Sequence, residues 1–343
     1  MIKPSRLSRG DTVAIVSLSS GMGGEAMFRH RYEMGKSRLE NDFGLNVVTM
    51  PHALKGIEYL AKNPQARAAD LMAAFEDSQV KAIITMIGGD DSIRLLPYIN
   101  FDTIKKNPKI FMGYSDTTAN HFMMYKAGLT SFYGPSIMAE FAENVAMHNY
   151  TKNHIRNILF NPTPELAIEP SLTWTSEFLG WDKEENNKTA RTMQDDPKGF
   201  ELLQGTGVAK GKLLGGCVEV LPMIVGTEIW PQDWNNAILF LEIAEEKTGV
   251  EMVKYILRGL AAQGIFDCVS GVLFGKPMGE KNYDEYNKLL RQIIGDECGK
   301  PDLPILSNIN FGHNAPMCVL PYGVMAEIDC TGKSLRLMEA AVV

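Results

Sequence analysis

The sequence has no CxxC pair, no HExxH run and no excess of basic charge, and it lacks the run of about 18 apolar residues that a bilayer span needs. Each absence excludes a class. The five cysteines (Cys217, Cys268, Cys298, Cys318 and Cys330) are odd in number and widely spaced. They read as reduced, partly buried thiols of a cytosolic protein, not as a disulfide framework. The six histidines are scattered without the spacing of a zinc site, so no metal is expected. A formal charge of −7 argues against nucleic acid or an anionic membrane as the main partner. The opening stretch MIKPSRLSRGDTVAIVSLSS carries only a short apolar run, without the apolar core and cleavage site of a signal peptide, and reads as a first strand. There is no internal repeat and no low-complexity tract.

What remains is an ordinary globular composition spread over 343 residues, a length that favours two domains. The first half alternates strand and helix signals. Strands are expected at 12–17, 45–50, 81–87, 110–112 and 130–133, with helices at 25–41, 63–78, 91–98 and 116–126. Repeated units of this kind imply a parallel sheet whose ligand sits beyond the carboxyl ends of its strands. Between about 160 and 210 the chain turns rich in Pro, Asn and acidic residues, the composition of a linker or loop region. The expected division is therefore a nucleophile-bearing α/β domain over 1–165, a linker and aromatic loop over 166–204, and a second domain over 205–343. In that second domain the expected elements are a helix at 217–225, a strand at 237–243, a helix at 249–263, a strand at 271–274 and a helix at 283–294. Strands with a hairpin turn at Thr331-Gly332 close the chain.

Ser115, in KIFMGYSDTTANH, follows an apolar strand and opens a helix. A serine at such a turn is held up at the sheet edge, where the helix N–H groups could stabilise an oxyanion. It could equally be a helix cap, a role that both Ser115 and Asp116 favour. From this stretch alone both readings stand. Gly88-Gly89 ends the neighbouring strand, where tandem glycines let N–H groups approach a ligand; Asp90 or Asp91 would cap the helix starting at Ser92. A serine nucleophile needs a base and an orienting acid. His313, in NFGHNAP, is the best base by context. His121 is a weaker competitor, His30, His148 and His154 are expected on exposed helix faces, and His52 follows a strand. Glu242 ends the strand AILFLE, where a carboxylate is buried unless paired. Glu245 and Glu246 follow, in a solvated loop or on a substrate.

These pieces together resemble the LD-carboxypeptidase family of serine peptidases. The resemblance rests on GYSDTTA (113–119), IGGDDSIRLLPYI (87–99), LFLEIAEE (239–246) and FGHNAP (311–316). EFLGWD (177–182), LQGTGVAKGKLLGGCVEVL (203–221) and GTEIWP (226–231) are closer to the family's microcin C immunity-type branch. The resemblance implies an N-terminal flavodoxin-like domain related to class I glutamine amidotransferases, a C-terminal β-rich α/β domain, a homodimer, and no cofactor. It implies a triad of Ser115, Glu242 and His313, with an oxyanion hole formed by the N–H groups of Gly89 and Asp116.

Substrate choice is open between two amides. Typical family members trim a terminal D-alanine from a peptidoglycan tetrapeptide, and the immunity-type enzymes cleave an aspartyl group from an aminoacyl-adenylate mimic. A nucleobase calls for an aromatic platform. Trp174, Phe178 and Trp181 are candidates, or they pack the linker against the domains. Lys247 and Lys276 could hold a carboxylate or phosphate, or lie in solvent. GGDDS stands where the family carries a GGYG-type loop, which makes Asp90 and Asp91 candidate substrate contacts. A non-catalytic protein that sequesters a peptide or nucleotide in the same cleft is the rival from another class.

Overall fold

The computed structural model describes residues 1–244 and 248–343. In the first half the apolar runs form β1 (Thr12–Val16), β2 (Asn46–Thr49), β3 (Val80–Thr85), β4 (Ile110–Gly113) and β5 (Phe132–Tyr133). There follow β6 (Leu166–Ile168), β7 (Thr173–Trp174), β8 (Gln194–Asp195), β9 (Glu201–Gln204), β10 (Val208–Cys217) and β11 (Ala237–Glu242). The last five are β12 (Gly271–Gly275), β13 (Ile305–Ile309), β14 (Leu320–Pro321), β15 (Met325–Asp329) and β16 (Ser334–Leu337).

The first five strands are parallel and lie in the order β2-β1-β3-β4-β5. This is a doubly wound, flavodoxin-like arrangement, with its order reversing between β1 and β3. Val13 to Val16 and Ile110 to Met112 are all buried, so the strands read as unbroken apolar runs instead of alternating. The second sheet runs β6-β16-β15-β10-β11-β12-β13-β9, with β10 to β13 parallel and the outer strands antiparallel. Both sheets thus present the carboxyl ends of a parallel set. No helix among the described residues is long and apolar enough to cross a membrane.

The expected linker is woven into the second sheet. β6 and β9, both within 166–204, are its two edge strands, and β7 and β8 form a separate two-stranded antiparallel sheet. An edge strand pairs on one side only and is often polar and short, so a Pro- and Asn-rich composition conceals it. The division at 205 is crossed in the other direction too, because β14 pairs antiparallel with β5 and extends the first sheet. The buried apolar side chains form one cluster spanning both sheets. Polar ties cross the seam: Thr118 Oγ1 accepts from the Cys217 N–H (3.0 Å), and the Tyr322 hydroxyl donates to the Gly215 carbonyl (2.6 Å).

Other elements shift for local reasons. The turn expected as a helix at 91–98 is 3-10 (Ser92–Tyr98), with Pro97 inside it removing a backbone donor. The helix expected at 217–225 shrinks to Leu221–Ile224, because β10 continues to Cys217. The helix expected from 25 starts at Arg29 after two 3-10 turns. Phe101–Lys106, capped by Asn100 accepting from the Thr103 N–H, is an additional helix. All five cysteines are free; Cys217, Cys318 and Cys330 are buried.

Candidate active site

β4 ends at Gly113, where a Cβ would lie 2.1 Å from Thr85 Oγ1, and the helix Thr117–Lys126 begins four residues on. The turn between them holds Ser115 at φ 63°. That left-handed backbone is unfavourable for a residue with a side chain and marks a strained turn. Among the described residues the Ser115 side chain caps nothing. Asp116 occupies the cap position, yet its carboxylate serves the neighbouring loop, accepting from the N–H groups of Asp91 (3.1 Å) and Ser92 (2.8 Å). The cap expected from Asp90 or Asp91 is therefore supplied across the sheet edge by Asp116.

Gly88 and Gly89 lie against this turn. A Cβ on Gly88 would sit 2.8 Å from Ser115 Cβ and 2.9 Å from its Oγ; one on Gly89 would sit 2.2 Å from Ser19 Oγ. Ser19, after β1, accepts from the N–H groups of Asp90 (3.1 Å) and Asp91 (3.4 Å). Among the described residues no acceptor lies on the N–H of Gly89 or of Asp116. Asp91 is not free for a substrate. The buried Arg67 takes both its oxygens (2.6 and 3.1 Å) and Arg94 a further contact (2.8 Å). Burial pushes this carboxyl up, but the two arginines outweigh it and hold it below the usual range. Asp90 is exposed and does not line the cavity described below.

Glu242, the last residue of β11, is fully buried, and His313 follows β13. Their contact is close: His313 Nδ1 donates to Glu242 Oε2 at 2.9 Å. The carboxylate fits because glycines surround it. A Cβ on Gly312 (φ 97°) would lie 2.7 Å from Oε2, and one on Gly275 3.0 Å from Glu242 Cβ. Burial pushes the imidazolium pKa down, but Glu242, with Glu219 and Glu140 beyond it, outweighs burial and raises it above the ordinary value. With Nδ1 committed, Nε2 has no partner among the described residues. Ser115 and His313 line one cavity without a hydrogen bond between them.

The other histidines are otherwise engaged. His121 Nε2 donates to the Gly113 carbonyl (2.9 Å), which leaves Nδ1 to accept from the Ser131 hydroxyl (2.8 Å). Burial drives its pKa down to about 3, so it is neutral and unavailable. His154, expected on an exposed face, is buried. His148 pairs with Glu143 at 3.3 Å. His30 contacts the Trp181 carbonyl (2.9 Å) and the Asn187 side chain (2.7 Å), tying the aromatic loop to the first sheet's helices. A sequence pattern on a helix gives the face a residue occupies but not the loop that folds over it.

The cavity has a volume of about 420 Å³, within the range of small-molecule sites. Phe178 and Trp181 line it, with ring centroids 5.7 Å apart. Phe178 is 66% exposed, and the Arg31 guanidinium lies 4.7 Å from the Trp181 ring centre. Trp174 does not line the cavity: it is buried beneath Lys276, whose Nζ is 4.7 Å from its ring centre. Lys276 is neither solvated nor part of the cavity wall, since Asp196 (3.0 Å) and Glu280 (2.7 Å) enclose its ammonium. Glu245 and Lys247 lie outside the described residues. Sequence reasoning missed Arg31, Glu140, Glu143 and Arg191, all on the cavity wall. Arg191 binds Glu143 through both oxygens, and burial of Glu143 is outweighed by His148 and Arg191, which pull its carboxyl down to about 2. No local motif announces such a pair; it exists only once 191 folds back on 143. Among the described residues no group of three or more His, Cys, Asp or Glu side chains is placed to hold a metal ion.

The cavity lies where the parallel strands of the two sheets end, the place at which sheets of this kind hold a ligand. The chain belongs to the LD-carboxypeptidase family: the profile of the family's N-terminal domain matches residues 13–134 and that of its C-terminal domain matches residues 210–328. It is similar to the crystal structure of an MccF-like protein from Streptococcus pneumoniae in complex with AMP, with 37% identity and a TM-score of 0.88 over 96% of this chain and 99% of that one. The microcin C7 self-immunity protein MccF of Escherichia coli is 27% identical over 97% of this chain and 94% of its own length. Its complex with aspartyl sulfamoyl adenosine superposes with a TM-score of 0.86 at 26% identity, covering both chains completely. A Bacillus subtilis protein that carries a murein peptide carboxypeptidase name is 28% identical over 99% of this chain and 95% of that one.

Proposed function

We propose that this chain is a serine peptidase that hydrolyses an amide bond in a small peptide or an aminoacyl-nucleotide, through Ser115, His313, Glu242 and an acyl-enzyme. The observation that carries the reading is the 2.9 Å contact of His313 Nδ1 with the sealed Glu242 carboxylate, on the wall of the cavity that holds Ser115. Nε2 takes the Ser115 Oγ proton as Oγ attacks the carbonyl carbon. Such a hydrogen bond commonly tightens only in the substrate complex. The N–H groups of Gly89 and Asp116 donate to the oxyanion, His313 returns its proton to the leaving amine, and water then releases the acyl group. Glu242 keeps the Nδ1 proton in place and balances the imidazolium. Phe178 and Trp181 are the aromatic surface on which a nucleobase would stack. The relatives' complexes with AMP and aspartyl sulfamoyl adenosine support the aminoacyl-nucleotide as the substrate class.

The test is mass spectrometry of products after wild type and Ser115→Ala are each incubated with aspartyl sulfamoyl adenosine and with a muropeptide tetrapeptide. Aspartate and sulfamoyl adenosine are expected from wild type alone. Release of D-alanine from the tetrapeptide instead would assign the muropeptide as substrate. Equal turnover by Ser115→Ala would sink the serine mechanism, and tight binding without product would favour a sequestering protein.

A further inference from the structure

Tyr133 ends β5 at the carboxyl edge of the first sheet and is fully buried. Its hydroxyl stands between two groups of the machinery. It accepts from the backbone N–H of Ser115 at 3.1 Å and donates to Glu242 Oε1. Glu242 Oε2 in turn accepts from His313 Nδ1 at 2.9 Å. An amide N–H can only donate and a carboxylate can only accept, so the single phenolic proton has one possible direction, toward Glu242.

We propose that Tyr133 is a positioning residue that couples the strained turn of the nucleophile to the acid of the triad, across the seam between the two sheets. This rests on the roles given above to Ser115, Glu242 and His313. Four features support it. Ser115 and Tyr133 belong to the first sheet, whereas Glu242 ends a strand of the second, so the hydroxyl is a direct polar link between the halves that must meet. The ring is wedged by groups from both: His121 (centroids 5.8 Å apart) on one side, Phe240 of β11 (5.5 Å) and Phe311, two residues before His313 (6.3 Å), on the other. The bond to Tyr133 also occupies the Ser115 N–H, which takes that group out of reach of an oxyanion and accords with the role given above to the N–H groups of Asp116 and Gly89. Finally, it holds Oε1, which leaves Oε2 directed at the imidazole. An isolated tyrosine at the end of a two-residue strand gives no hint of this in the sequence.

Tyr133→Phe keeps the ring and removes only the hydroxyl. Its effect is read by the rate at which a fluorophosphonate labels Ser115, located by peptide mass spectrometry, beside kcat and KM for amide hydrolysis. A lost hydrogen bond to a charged group predicts that labelling and kcat both fall about 10- to 100-fold with KM little changed. If Tyr133 acts through the acid, its effect largely vanishes in a Glu242→Ala background, whereas a merely structural role would multiply with it. Should Tyr133→Phe fail to fold, 3-fluorotyrosine at position 133 replaces it. That residue keeps the shape but donates more strongly, draws charge from Glu242, and is expected to slow labelling. Wild-type labelling of Ser115 with an unchanged rate in the folded variant overturns the role of Tyr133 alone. Absence of Ser115 labelling in wild type overturns the nucleophile itself, so the two failures are distinguishable.

Discussion

Changing Glu242 to Gln removes one negative charge from a fully buried site while leaving the side-chain volume nearly unchanged. Its Oε2 lies 2.9 Å from His313 Nδ1, which puts the centres of the two charges about 4 Å apart once the imidazolium forms. At an effective dielectric of about 20 that attraction is about 4 kcal/mol, or about 10³ in rate if it is realised only as His313 becomes charged. The tautomer changes in the same direction. The Tyr133 hydroxyl donates to Oε1, so a glutamine would keep its carbonyl there and turn its NH₂ toward Nδ1. The imidazole proton would then sit on Nε2, the nitrogen that must accept from Ser115. The acid limb of kcat/KM moves as well. In wild type the pKa of His313 is raised because Glu242, with Glu219 and Glu140, outweighs burial. The base is active only when neutral, so wild-type activity should rise with pH through an inflection above the ordinary 6.5. Without the Glu242 charge, burial gains weight and the inflection should fall. Steady-state hydrolysis of aspartyl sulfamoyl adenosine over roughly pH 5 to 9 measures both quantities, with thermal melting as the check on folding. A folded Glu242→Gln variant within about tenfold of wild type, or one whose acid limb does not move down, would refute the charge-balancing role.

Two further outcomes follow from the same contacts. Gly88→Ala would put a methyl carbon 2.9 Å from Ser115 Oγ; the variant should melt near the wild-type temperature but lose about 100-fold or more in kcat, since an ångström of displacement at the nucleophile suffices for that. Glu143 has its carboxyl pulled from the usual 4.5 down to about 2, because His148 and Arg191 outweigh burial. Its stabilisation is therefore complete above the unfolded value and lost as pH falls from 4.5 through about 2. Urea melts should show Glu143→Gln costing roughly 3 kcal/mol at neutral pH but progressively less in acid; an undiminished cost at low pH would contradict this.

The parts of the fold legible beforehand were those that local chemistry dictates. TVAIV, AIITM and IFM are too apolar for anything but buried strands, and each is closed by glycine or serine, so the parallel first sheet and its carboxyl-edge turns could be read directly. The same logic pointed to Glu242, an acid at the end of AILFLE. It failed where stability is collective. β6 and β9 are edge strands built from unremarkable residues, and only their neighbours in the sheet make them strands.

The site divides in the same way. Ser115, Gly88-Gly89, Glu242 and His313 each sit at a strand end, where a cap or a turn explains them as well as chemistry does, and only the chain-wide family resemblance joined them. Tertiary structure alone decided which other residues share their surroundings. It turned Lys276 and Asp91 inward onto opposite charges, buried Trp174, and left Phe178 and Trp181 on the cavity wall. Tyr133, Arg191 and Glu143 entered through contacts between residues 48 to 109 positions apart. Strand ends are set by the chain's own local pattern of apolar and turn residues. Charge pairing and burial depend on what folds opposite, and no single segment carries that information.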